Sequence, residues 1–128
     1  MLASTASWTA GVRARETKRE DRLFEDPLAE SLAGEAGAAW IAQRPTDSTL
    51  PIVLRTRFFD DFLIRITREH NIQQVVLVGA GYDTRAFRLK WPEGTTLFEI
   101  DQAEVLTRKQ HGVGCARHWR TMWLIQIL

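Results

Sequence analysis

A chain of 128 residues, 45% hydrophobic and 26% charged, has the composition of a folded globule and the length of one small domain with a modest core. Its 17 basic and 16 acidic residues leave a formal net charge of +1, so no global charge argues for nucleic acid or an anionic membrane as a partner. No apolar run approaches the roughly 18 residues of a spanning helix, the start MLASTASWTAG lacks a charged leader with a continuous apolar stretch, and the one cysteine, Cys115, cannot form an internal disulfide; the expected setting is cytoplasmic.

From Thr9 to Arg22 the sequence is charged and permissive of helix, with Arg13, Arg15, Lys18, Arg19 and Arg22 interleaved with Glu16, Glu20 and Asp21. This pattern predicts a solvated helix. Asp26 and Pro27 have the order of a helix N-cap and a first helical residue, followed by an apolar stripe of Leu28, Leu32 and Ala36 that Gly34 and Gly37 weaken. Trp40 is expected in the core, and Arg44 to Asp47 in a loop. Leu50 to Arg68 gives the clearest helical period: Leu54, Phe58, Phe62 and Ile66 recur every four residues, widened by Phe59 and Leu63. That face is expected to pack on a sheet. Asp60 and Asp61 have Arg57 and Arg65 within reach on the same helix.

Val75 to Val78 is a β-branched apolar run suited to a buried parallel strand, and it ends at Gly79 and Gly81. Glycine permits the backbone angles of a tight strand-to-helix turn and the close approach of a cofactor. Asp83 and Thr84 can cap a short helix, roughly Thr84 to Lys90, before the turn WPEG and a second strand, Thr95 to Ile100. Two parallel strands joined by a helical crossover bring Asp101 beside the glycines, and an acid about 20 residues after such a turn is where α/β folds hold the vicinal hydroxyls of a ribose. The spacing also resembles the dinucleotide motif GxGxxG, with Thr84 in place of its third glycine. A helix is expected beyond Asp101, with Val105 and Leu106 inward and Arg108 and Lys109 outward.

The longer string GAGYDTRAFRL, followed by WP, FEID and VLTRK, resembles the S-adenosylmethionine-dependent methyltransferases of the leucine carboxyl methyltransferase superfamily, in its bacterial branch with the mycobacterial members. Upstream, ARETKREDRLFEDPLAESLAG and RTRFFDDFL extend the likeness over roughly Thr9 to Lys109. The resemblance implies an α/β fold: a partial Rossmann-like methyltransferase domain with N-terminal helices over 1–70, a cofactor-binding βαβ unit over 71–109 and a divergent tail over 110–128. It implies S-adenosyl-L-methionine as cofactor, held by Gly79, Gly81 and Asp101 at the adenosine and by Arg57 and Arg15 at the amino-acid carboxylate, with Arg55 the alternative to Arg57. The implied acceptor is a small molecule or carboxylate methylated at oxygen. No catalytic residue is assigned.

The likeness stops after Lys109, and no acidic residue follows Glu104, while Arg117, Arg120, Trp119 and Trp123 accumulate. This composition shift suggests a truncated or frame-altered end. His111, Cys115 and His118 are too loosely spaced to argue for a metal. Two rivals stand beside the methyltransferase reading. One is a nicotinamide-dependent oxidoreductase, whose glycines and ribose acid would look alike. The other is a cofactor-half fragment without catalysis.

Overall fold

The structure is a computed structural model that describes residues 2–114 and 122–127. Three helices come first: α1 (Leu2–Thr17), α2 (Ala29–Ala42) and α3 (Thr46–Glu69). An alternating part follows, with β1 (Gln74–Val78), α4 (Arg85–Arg88), β2 (Thr96–Gln102), α5 (Ala103–Val113) and β3 (Met122–Ile127). The strands form one parallel sheet in the order β1-β2-β3, with Val75 opposite Leu97 and Ile100 opposite Ile125. This is the expected α/β class, a partial methyltransferase fold preceded by helices. The third strand lies within the expected divergent tail; Cys115, Arg117, His118, Trp119 and Arg120 lie outside the described residues.

α1 ends at Thr17, earlier than the charge pattern suggests, because its last turn ties down the loop that follows. The Thr17 hydroxyl donates to the Arg13 carbonyl at 2.8 Å and accepts from the Asp26 N–H at 2.9 Å, while the Glu16 carboxylate accepts from the Leu23 N–H at 2.8 Å. Arg13 and Glu16 are therefore buried, not solvated. α1 crosses α2 at two glycines, where a Cβ on Gly11 would lie 2.8 Å from the Gly37 carbonyl oxygen. Ala6, Ala10 and Ala33 continue this close packing into a core with Leu32, Tyr82, Val105 and Val113. Trp8 stacks on Trp40 at 5.2 Å, and Trp40 also packs against a second cluster of Val12, Phe24 and Val53.

In α2 the regular helix starts at Ala29, and Asp26 caps the turn ahead of it as expected: its Oδ1 accepts from the Leu28 N–H at 3.2 Å and its carbonyl from the Ala29 N–H at 3.2 Å. Gly34, at φ 57° and ψ −164°, kinks the helix and rotates its apolar face, so Leu32, Ala33 and Gly37 are buried while Ala36 is exposed. α3 begins at Thr46, inside the expected loop, and carries Pro51 as its sixth residue, where the ring leaves the Asp47 carbonyl without its helical N–H donor. Its buried face is Thr49, Val53, Thr56, Asp60 and Thr67, whereas Leu54, Phe58 and Phe59 are exposed. The aromatic stripe of α3 therefore does not pack on the sheet. An ionic anchor through Asp60 selects the inner face instead.

Candidate functional site

The turn between β1 and α4 is a chain of short hydrogen bonds from the backbone to β2. Gly79 N–H and Ala80 N–H both donate to the Ile100 carbonyl, at 2.8 and 3.2 Å, and Asp83 N–H closes the turn on the Ala80 carbonyl at 2.9 Å. Both glycines have positive φ, 64° at Gly79 and 53° at Gly81, which other residues adopt only with strain. A Cβ on Gly79 would meet nothing within 4 Å, so the turn opens into free space. The parallel register carries Asp101 to the same edge, where its carboxylate accepts from Gly81 N–H and Gln102 N–H, each at 2.7 Å. Each carboxylate oxygen keeps a lone pair for a further donor.

A groove of about 690 Å³ runs over this turn, lined among others by Arg13, Arg55, Phe59, Val78, Tyr82 and Asp101. The two arginines carried over by resemblance lie elsewhere. Arg15 points between α1 and α2, donating to the Ile41 and Arg44 carbonyls at 3.4 and 2.8 Å and to Thr49, and it lines a separate cavity of about 430 Å³. Arg57 is half-exposed, pairs with Asp61 at 2.7 Å and donates to the Leu23 carbonyl at 2.6 Å. Residues two apart on a helix face apart. Arg13 and Arg55 take the groove side, and Arg55 has no ion-pair or hydrogen-bond partner among the described residues.

Beneath the groove lies a buried ionic network. Asp26 accepts from Arg13 Nε at 2.8 Å and from the Thr84 hydroxyl at 2.6 Å. Arg13 also donates to the Tyr82 carbonyl at 2.5 Å, holding the turn from the α1 side. Asp60 takes a bidentate pair from Arg88, at 2.6 and 2.9 Å, and a third bond from Arg85 Nε at 2.7 Å. Arg85 in turn pairs with Asp83. Burial alone would push the Asp83 carboxyl up, but the Arg85 charge and backbone N–H, with Lys109 and Arg13 further off, hold it below the usual value of 3.8. The network fastens α1, α3 and α4 to one turn, and Asp60 pairs across to α4 rather than with Arg57 or Arg65. The visible signal for it was two arginines three apart, Arg85 and Arg88, on one helical face.

Lys109, expected outward, is 1% exposed and donates to Glu99 at 2.5 Å, with Glu99 fully buried on β2 two residues before Asp101. The other Glu99 oxygen, Oε1, has no partner among the described residues. Burial raises the Glu99 carboxyl above its ordinary 4.5 despite the Lys109 charge, and the charges of Asp83 and Asp101 add to the rise. Val105 and Leu106 face inward as expected.

With this geometry in place, the chain can be set beside known proteins. The profile of the leucine carboxyl methyltransferase family matches residues 6–122, and the chain belongs to that family. It is 42% identical over 132 aligned residues to a protein of Streptomyces coelicolor, covering 89% of this chain and 46% of that one. A protein of Frankia alni is 50% identical over 115 residues, covering 83% and 40%, and one of Mycobacterium avium 39% over 123 residues, covering 84% and 40%. Each of these relatives carries the name "Putative S-adenosyl-L-methionine-dependent methyltransferase". The chain spans less than half the length of these relatives.

Proposed function

We propose that the groove holds S-adenosyl-L-methionine, and that the chain carries the cofactor-binding half of a methyltransferase. The observation that carries this reading is the Gly81 N–H to Asp101 carboxylate bond at 2.7 Å, which joins a glycine turn open to solvent to an acid with free lone pairs. Asp101 would accept from the ribose hydroxyls, while Gly79 and Gly81 leave room for the adenosine. Arg55 would meet the amino-acid carboxylate with its unpaired guanidinium, in place of Arg57. Arg13, already committed to Asp26 and Tyr82, holds the turn in place of the cofactor-contact role carried over to Arg15. When bound, the cofactor supplies an electrophilic methyl group.

The residues of this chain orient and shield rather than react. Asp101 and Arg55 fix the two ends of the ligand, and Phe59 and Val78 present apolar surface along it. A carboxylate on a small acceptor is already ionised at neutral pH and needs no base, which fits a groove whose other acid among the described lining residues, Asp83, is paired with Arg85. Equilibrium dialysis with labelled S-adenosylmethionine against labelled nicotinamide dinucleotide tests the cofactor: preferential retention of the first, lost in Arg55→Ala but kept in Arg57→Ala, is the expected result. Equal retention of both cofactors would remove the methyltransferase reading. Methyl transfer to a carboxylate would be read as label released as methanol by mild base, which an ether product would not give.

A further inference from the structure

The glycine turn lies where dinucleotide folds seat a pyrophosphate, at the start of the helix that follows, but it lacks what an anion needs there. α4 runs only from Arg85 to Arg88 and adds little helix dipole. The N–H groups of Gly79, Ala80, Gly81, Asp83 and Arg85 all donate within the chain, the last of them to Asp83 Oδ1 at 2.8 Å. The cations at this end of the groove are matched as well. Arg13 is held by Asp26 and the Tyr82 carbonyl, Arg88 by Asp60, and Arg85 by Asp60 and Asp83. Asp83 and Asp101 both line the groove, and Asp101 has no cation paired with it among the described residues. The turn end of the groove is therefore acidic.

We propose that Asp83 is a specificity-determining residue of the groove: its carboxylate stands at the helix start where a phosphate would sit, so the groove rejects phosphorylated nucleotides and takes a nucleoside whose sugar carries a neutral or cationic substituent. This deepens the reading of the groove as an S-adenosylmethionine site and rests on it. Two observations single out Asp83. Its side chain is 15% exposed, so water and salt screen its charge poorly. It also occupies the donors that a phosphate oxygen would use, with Oδ1 on the Arg85 N–H and Oδ2 on the Arg85 guanidinium. Asp101 is an acid too, but its acceptors serve the ribose hydroxyls. Asp83 adds repulsion toward the wrong ligand, and the field that repels an anion attracts a sulfonium.

The test is a ligand-observed nuclear magnetic resonance titration of the full 128-residue chain with adenosine, adenosine monophosphate and adenosine diphosphate, in the absence of divalent cations. Adenosine should bind about tenfold or more tighter than the diphosphate, with the monophosphate between them, because bringing like charges together is costly. Asp83→Asn should close most of that gap by tightening the diphosphate, a gain that damage to the fold would not produce. Glu35→Gln, the same change of charge at an exposed position of α2, should leave the gap as in the wild type. If Asp83→Asn loses its helical circular dichroism, Asp83→Ser takes its place, and the wild-type series stands without either variant. Diphosphate bound by the wild type as tightly as adenosine, or a gap unchanged in the folded variant, would overturn the proposal while leaving the nucleoside site in place. A wild-type chain that binds neither adenosine nor S-adenosylmethionine would overturn the reading of the groove, and the proposal with it.

Discussion

At the residue scale, the chemistry turns on charges that the fold removes from water. Breaking a buried ion pair leaves the survivor uncompensated and costs about 3 to 5 kcal/mol, whereas replacing both members with apolar residues is often near neutral. Lys109→Met should therefore destabilise the chain strongly, and Glu99→Leu with Lys109→Met should recover most of the loss, both read by urea denaturation. The pH dependence follows from the same groups. Asp83, held below 3.8, stabilises the fold above that pH and loses its contribution as pH falls through its depressed native value, so Asp83→Asn should flatten the acid limb of a stability profile. Glu99, raised above 4.5, acts in the opposite sense: its contribution is complete below 4.5 and fades as pH rises through its elevated native value. Gly79, Gly81 and Asp101 were legible because a turn and a following acid are local patterns. The pairing of Asp26 with Thr84 was not, since 58 residues separate them and only the folded chain brings them together. Lys109 was misread for a related reason, as nothing in a helical repeat announces a buried acid on the neighbouring strand.

At the element scale, the closest contact is the α1 to α2 crossing, where Gly11 and Gly37 let two backbones meet. Gly37→Leu should force the helices apart and lower the denaturation midpoint, with a loss of about 1 to 3 kcal/mol typical of overpacking, whereas Glu35→Ala, exposed on the same helix, should cost far less. The helices were legible from their period, and so was the inward face of α5, yet the faces of α2 and α3 were not. For α3 the four-residue aromatic repeat pointed to a core face, and the structure buries Val53, Thr56 and Asp60 instead. Periodicity identifies which residues share a face; it does not say which partner a face will find. The pairing of Asp60 with Arg85 and Arg88 decided the orientation, and the aromatic stripe was left outward.

At the scale of the whole molecule, the exposed stripe of α3 and the edge of β1 that pairs with no strand among the described residues set the expected behaviour of the chain in isolation. A domain of this length buries a smaller share of its surface than a longer one and has little stability to spare. The purified chain should bind a hydrophobic dye, unfold over a broad range of denaturant, bind cofactor weakly and show no methyl transfer alone; a sharp transition with turnover would contradict this. Weak binding makes saturation-transfer nuclear magnetic resonance the most direct measurement of the central claim, that Asp101 and the glycine turn hold adenosine. The variant to compare is Asp101→Asn, which keeps an acceptor for Gly81 N–H and removes the charge that would bind the ribose, a loss of about 1 to 3 kcal/mol. Saturation should pass from the chain to the ribose and adenine protons of S-adenosylmethionine, and fall sharply in Asp101→Asn with circular dichroism unchanged. Equal transfer in the two proteins, or none in either at millimolar ligand, would contradict the account.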